Sequence, residues 1–594
     1  MNRKTRKIQL IARFFDGAKR YFVTAIVASL FMTLLNSLTP QIFRFTIDAV
    51  LGSDEYPFLA ENLWVMGILL IGTSLLSGAC MFICRYHTAK AGENFAENMR
   101  NALFAHVQKI PMIWHDRNQT GDIIQRCTSD TEVIRNFVVK QLLEVFRTIF
   151  LVTVSFGMMV SMNRKLAFMV LLFVPIVVAY SSIFYRLIAR RFTDADEAEG
   201  MLSTVVQENA TGVRVVRAFG REKFEMDRFR ERNDAFAELW IKLGTISGLY
   251  WGVGDLITGL QVVAVIVFGA VEAVHGNITV GEFVAFASYN TSLVWPIRGL
   301  GRILSDMSKA GVSFERVDYI IQEAEEAYGK KVEEPTESYD VSFEQVTFAY
   351  NEGQTVLRDV SFNIPQGTTL GILGGTGSGK STITQLLTRF YELEDGNGVI
   401  KIGGKDVREI PLEEVRRQVG IVLQEPFLYS KTIKENIAAA NPGVTMEEIR
   451  AAAKIACVDD AIMSFPDGYD TIVGERGVTL SGGQRQRVAI ARMLLQKAPI
   501  MIFDDSLSAV DSETDYLIRN ALKEHMKDAT VILVSHRITT LMSANKIMVL
   551  HQGEIEEMGT HNELIHQDGI YRKIYDIQMS HDDRREVRQE NGNL

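Results

Sequence analysis

The run Gly374-Gly375-Thr376-Gly377-Ser378-Gly379-Lys380-Ser381 fits the pattern GxxxxGK[ST]. It follows an apolar strand-like stretch, Thr368–Leu373, and precedes a helical run, Thr382–Phe390. Only in a strand–loop–helix setting does this pattern have physical meaning. The glycines let backbone N–H groups turn inward around a phosphate at the positive end of a helix dipole, with Thr376, Ser378 and Thr382 beside them. Lys380 is placed to reach β- and γ-phosphates, and the Ser381 hydroxyl to hold Mg²⁺. Further on, Pro499–Asp504 is an apolar strand ending in a carboxylate, which suits a Mg²⁺-linked acid beside the phosphate loop. Asp505 follows where a general base for an attacking water is expected. His536 closes another apolar run and is a candidate γ-phosphate sensor. Tyr350 ends a strand-like segment and is a candidate to stack on an adenine face. A lone His after a strand is more often structural, and a free-standing Tyr says little.

These residues gain meaning from their order. Tyr350, GGTGSGKS, Gln424 in VLQEPFLYS, LSGGQ at Leu480–Gln484, IMIFDD, SAVD at Ser508–Asp511 and VSHR follow one another as in the ATP-binding cassette family, which the sequence resembles motif by motif. LSGGQ ahead of an Asp-ending strand is the discriminating element. The resemblance implies ATP and Mg²⁺ as cofactors, with Ser381, Gln424 and Asp504 around the metal, Asp505, His536 and Gln424 in catalysis, and Asp511 at the nucleotide. It also implies head-to-tail pairing, each ATP lying between one phosphate loop and the partner's LSGGQ. The physics agrees, because Ser481, Gly482 and Gly483 opening a helix at Gln484 make a second anion-binding helix N-terminus. Glu208–Glu222 and Thr120–Asp130 resemble the cytoplasmic loops of ABC exporters, so the likeness spans nearly the whole chain. One departure stands out. Asp505 occupies the position where fully active members usually carry Glu, as in the degenerate-site subunit of heterodimeric bacterial multidrug exporters. Asp is one methylene shorter, which sets its carboxylate back by roughly 1–1.5 Å, so ATP binding with slow hydrolysis is expected.

The elements that must position this chemistry divide the chain in two. Its 594 residues are too many for one domain, and 47% apolar residues coexist with 23% charged ones. A net charge of −9 argues against a nucleic-acid partner. Cys80, Cys84, Cys127 and Cys457 have no metal-ligand spacing. Six apolar stretches, at 20–43, 62–85, 139–161, 166–187, 246–272 and 280–304, approach the ~20 residues a membrane-crossing helix needs, the last being the least hydrophobic. The basic N-terminus and the acidic loop after the first span put the N-terminus and the cassette on the cytoplasmic side of an inner or plasma membrane, with Arg164 and Lys165 as a small exception. Charged connections at 86–138 and 188–245, broken at Pro111–Gly121 and Thr211-Gly212, extend the spans into the cytoplasm, where their turns are placed to touch a soluble domain. The expected fold is an all-α six-helix transmembrane domain with long cytoplasmic helical extensions, then an α/β P-loop nucleotide-binding domain. The boundaries are an amphipathic membrane-surface helix at 1–19, the transmembrane domain at 20–320, an acidic linker at 321–340, the cassette at 341–580 and a charged tail at 581–594.

Together these readings describe half of an alternating-access exporter that pairs with a second half-transporter bringing the missing Glu, and that moves amphipathic drugs or other xenobiotics outward across the membrane. Among charges near the spans (Arg44, Asp48, Glu144, Arg147, Asp255, Glu272), Asp255 lies among glycines and is the candidate cavity acid for cationic compounds, the alternative being ordinary helix packing. Rival readings are a homodimeric lipid or peptide exporter, in which Asp505 is an adequate base, and a non-transporting ATP-gated channel or sensor. Six spans exclude a soluble cassette enzyme.

Overall fold

The computed structural model describes residues 12–579 apart from 52–57, 59, 60, 327–337, 351, 352, 475, 476, 478, 507–509, 511, 526 and 527. Most of the expected N-terminal helix, the core of the acidic linker, the charged tail and Asp511 therefore lie outside the described residues. The described residues form two compact units, one drawn from 1–109 and 119–323 and the other from 110–118 and 324–594.

The first unit is helical. Its long elements are α1 (Lys19–Leu51), α2 (Leu63–Val107), α4 (Thr120–Met162), α5 (Arg164–Thr211), α6 (Glu222–Val274) and α7 (Val280–Gln322), while α3 (Met112–Arg117) belongs to the second unit. α1, α2, α4, α5 and α6 are long and apolar enough to cross a membrane. The sixth expected span forms, as α7, but falls short on hydropathy. Asn290, Arg298 and Ser313 on it are buried among helices, so its polar groups are satisfied or screened by protein. Local chemistry sets the ends. Asn163 caps α5 by accepting from Leu166 N, and Thr279 and Glu282 form a capping box at the start of α7. The expected breaks appear where sequence placed them: α2 stops at Val107 and α5 at Thr211, with Gly212 as its cap. Near the N-terminus, Phe14 and Phe15 pack on Phe95 of α2, and Asn98 donates to the Phe14 and Asp16 carbonyls. Two π-helical turns, Arg126–Asp130 and Asn136–Gln141, interrupt α4.

The second unit is α/β. A four-stranded antiparallel sheet runs in the order β2 (Thr355–Ile364), β1 (Val341–Ala349), β4 (Val399–Ile402), β5 (Lys405–Asp406). A six-stranded sheet runs β10 (Glu554–Gly559), β9 (Lys546–His551), β3 (Thr369–Gly374), β8 (Thr530–Val534), β7 (Ile500–Asp504), β6 (Val419–Val422). All its pairings are parallel except β10 with β9. Every residue of β7 is buried, as expected for a continuous apolar run with both faces covered. The carboxyl ends of β3, β7 and β8 therefore meet at one edge, where ligands of open α/β sheets bind.

Candidate nucleotide site

β3 ends at Gly374 and α8 (Lys380–Leu387) begins at Lys380, so the glycine-rich run is the strand-to-helix loop. Gly375, Thr376 and Gly377 form its exposed tip, while Ser378 and Gly379 are buried. Gly379 has φ +100°, and a Cβ there would stand 2.6 Å from Leu357 Cδ2, so the loop admits no side chain at this point. Lys380 Nζ donates to the carbonyls of Gly374 (2.9 Å) and Gly375 (2.7 Å). Burial holds its pKa below the usual lysine value, opposed by the charges of Asp505 and Asp504. Ser378 Oγ is buried with no hydrogen-bond partner among the described residues. A half-buried cation and an orphaned buried hydroxyl at a helix N-terminus fit a polyphosphate, which would pair with both.

Ser381 Oγ donates to Asp504 Oδ1 at 3.2 Å, joining the loop to the end of β7 across the sheet. Burial raises the Asp504 pKa, Asp505 adds to the rise, and Ser381 and Lys380 oppose it. A carboxylate made uncomfortable by burial and by a second carboxylate, next to a hydroxyl, suits a hard cation that keeps waters and phosphate oxygens as its other ligands. Asp505, at φ +45°, donates its N–H to Val534 O, and its carboxylate faces His536, with Nδ1 3.0 Å from Oδ1 and 3.2 Å from Oδ2. The sequence thus placed Lys380, Ser381, Asp504, Asp505 and His536 together.

Other expected residues are placed differently. Tyr350 donates its hydroxyl to Gln385 Oε1 (2.6 Å) and shares a 2.9 Å contact with Thr382 Oγ1. Its ring meets Phe348 and Tyr391 edge-on, so the side chain is pinned to α8 and to these two rings. Gln424 is exposed beyond β6, and its carbonyl accepts from Gln486 Nε2 at 3.3 Å. Gln486 was not singled out from sequence. Its only signal is a buried polar residue on the apolar face of α9 (Gly482–Gln496). At the start of α9, Ser481 Oγ accepts from Gln484 N while Gln484 Oε1 accepts from Ser481 N, a capping box that leaves the N–H groups of Gly482 and Gly483 pointing outward. In the first unit, Asp255 is not an isolated acid: its Oδ1 accepts from Arg298 Nη1 at 2.7 Å.

A helical unit with membrane-length helices, joined to a parallel sheet carrying a phosphate loop and a second anion-ready helix, defines a membrane-bound ATPase of the transporter type. The chain belongs to the ABC transporter family: residues 22–297 match the ABC transporter transmembrane region and residues 357–508 the ABC transporter domain. It is 34% identical over 565 residues to the "ATP-dependent lipid A-core flippase" of Photobacterium profundum, covering 93% of this chain and 95% of that one. It is 32% identical over 575 residues to the "Probable multidrug resistance ABC transporter ATP-binding/permease protein YheI" of Bacillus subtilis, covering 95% and 96%. The solved structure of a bacterial Atm1-family ABC exporter with ATP bound matches with a TM-score of 0.81 at 26% identity, covering 94% of this chain and 98% of that one. The protein is therefore a membrane-embedded ABC exporter half, an ATPase with its transmembrane region and ATP-binding domain fused in one chain.

Proposed function

We propose that this chain pairs with a second, different half-transporter and exports amphipathic, drug-like molecules by alternating access, with Asp505 making its own ATP site slow in hydrolysis. The observation that carries this reading is the Asp505–His536 pair. The short carboxylate is engaged by the imidazole at 3.0 Å, which holds it back from the place a water-activating base must reach. In this layout residues 20–320 form the transmembrane domain and 341–580 a cytoplasmic cassette. Tyr350, the loop 374–382 and Lys380 bind ATP, and Asp511 is assigned to the nucleotide by the family resemblance alone. Ser381, Asp504 and Gln424 would hold Mg²⁺, which neutralises phosphate charge when bound. Ser481, Gly482, Gly483 and Gln484 serve the partner's ATP, which is hydrolysed there with the partner's Glu.

A homodimeric lipid exporter is the second reading, favoured by the relative named a lipid A-core flippase. Native mass spectrometry of the complex recovered from source membranes through a tag on this chain separates the two. A stoichiometric second cassette chain is the expected result. A self-dimer with both sites turning over equally overturns the asymmetric mechanism.

A further inference from the structure

Arg298 is 3% exposed although it sits on α7 within the membrane-length part of the fold. Its guanidinium carbon lies 5.6 Å from the Tyr250 ring centroid, 5.0 Å from that of Trp251 and 5.4 Å from that of Trp295. Asp255 Oδ1 takes one N–H, and Nε and Nη2 have no hydrogen-bond partner among the described residues. The cation is thus held by one carboxylate and three aromatic faces. Space for it is built in: a Cβ on Gly254 would stand 2.5 Å from Nη2. The outer walls are open, since the Asp255 side chain is 70% exposed and Trp251 and Trp295 are 46% and 63% exposed. One carboxylate with several aromatic faces is the arrangement that binds organic cations, whose charge is spread and whose hydrogen-bonding needs are few.

We propose that Asp255, Tyr250, Trp251 and Trp295 form a binding site for lipophilic organic cations, and that Arg298 fills it as a tethered surrogate which such a substrate displaces. The inference rests on the exporter reading above and names the substrate class of the membrane region. It also explains how a carboxylate and two tryptophans are kept in place between transport cycles, because the resident guanidinium pairs with Asp255 and lies over the rings of Trp251 and Trp295, whose centroids are 6.0 Å apart.

The test uses the full-length protein, with any partner chain that accompanies it, in lipid nanodiscs and tetraphenylphosphonium as the probe. Binding is read by equilibrium dialysis and tryptophan quenching. Arg298→Met is expected to tighten binding about tenfold, and Asp255→Asn to weaken it by a similar factor. Arg298→Lys, which keeps a cation but loses the planar stack, is expected to fall between wild type and the Met variant. In unaltered protein the probe is expected to quench fluorescence, and W251F/W295F to lose that quench. Arg298 variants that bind the probe no more tightly than wild type overturn the proposal. So does tetraphenylborate binding that disappears in Arg298→Met, which would make Arg298 an anion receptor, and so does an unquenched wild type. If Arg298→Met tightens binding but the probe neither stimulates ATPase nor accumulates in inverted vesicles, the site stands and the export reading fails. If wild-type vesicles accumulate the probe while Arg298 variants bind it as wild type does, the reverse holds.

Discussion

His536 Nδ1 lies 3.0 Å from Asp505 Oδ1. An ionised carboxylate can only accept, so in the neutral ring the imidazole proton sits on Nδ1 and Nε2 is left as the acceptor. One ordinary contact thereby sets the tautomer of the proposed phosphate sensor and the position of the proposed general base.

Asp505→Glu is expected to raise the ATPase rate of the assembled complex by about tenfold or more at this chain's site, because the added methylene carries the carboxylate past the imidazole toward the water. Single-turnover phosphate release from complex in which the partner's site has been inactivated checks this. An unchanged rate would mean that Asp505 is already an adequate base.

The two ATP sites should respond oppositely to two changes in this one chain. Ser481→Arg places a long cation where the N–H groups of Gly482 and Gly483 face outward, and is expected to cut steady-state ATPase of the complex by about 100-fold. That factor corresponds to the loss of a charge-assisted phosphate contact. Asp505→Asn should leave most of that activity. Equal losses from both changes would point to two equivalent sites.

Asp504 couples pH to stability. Burial raises its folded pKa above the ordinary aspartate value near ~3.9. Between those two values the folded chain holds a proton that the unfolded chain has released. Stability from this group is therefore gained as pH falls through the window and lost as pH rises. Asp504→Asn removes the penalty and is expected to raise the nucleotide-free melting temperature at pH 7 by about 2–4 °C, while abolishing the extra stabilisation by Mg²⁺ with ATP. Thermal melts with and without Mg²⁺-ATP read both effects.

Tyr391 donates to Asp116 of α3, and burial together with that carboxylate pushes the phenol pKa well up. The contact lines a cavity of ≈ 590 Å³ that also includes Arg117, Glu326 and Tyr350. Tyr391→Phe is expected to reduce substrate stimulation of ATPase about fivefold or more, with basal turnover and ATP affinity changed much less. ATPase assays with and without a stimulating amphiphile measure the split.

Much of this was legible because phosphate chemistry leaves local marks. The loop from Gly374 to Ser381, the apolar strand ending in Asp504 and the short Asp505 each announce themselves within a few residues. Tertiary partnerships leave no such mark. Arg298 reads in sequence as a charge in the least apolar stretch, because Asp255 and Trp251 of α6 reach it only when α6 and α7 pack. The Tyr350 hydroxyl finds Gln385 and Thr382 only once β1 lies beside α8. The π-turns in α4 have no periodicity signal at all, since each adds one residue to a turn within an otherwise unbroken helical pattern.

The grouping of residues 110–118 with the cassette has a consequence for how the chain is made. Asp116 leaves the ribosome 275 residues before Tyr391, its hydrogen-bonding partner. At ordinary elongation rates that is a wait of roughly 15–55 s. During it the helices from α4 to α7 are synthesised while α3 has no cassette to pack on. Anything that stalls translation after residue 323 would leave α3 without the Tyr391 partner of Asp116, a handle by which quality control can tell an unfinished transporter from a complete one.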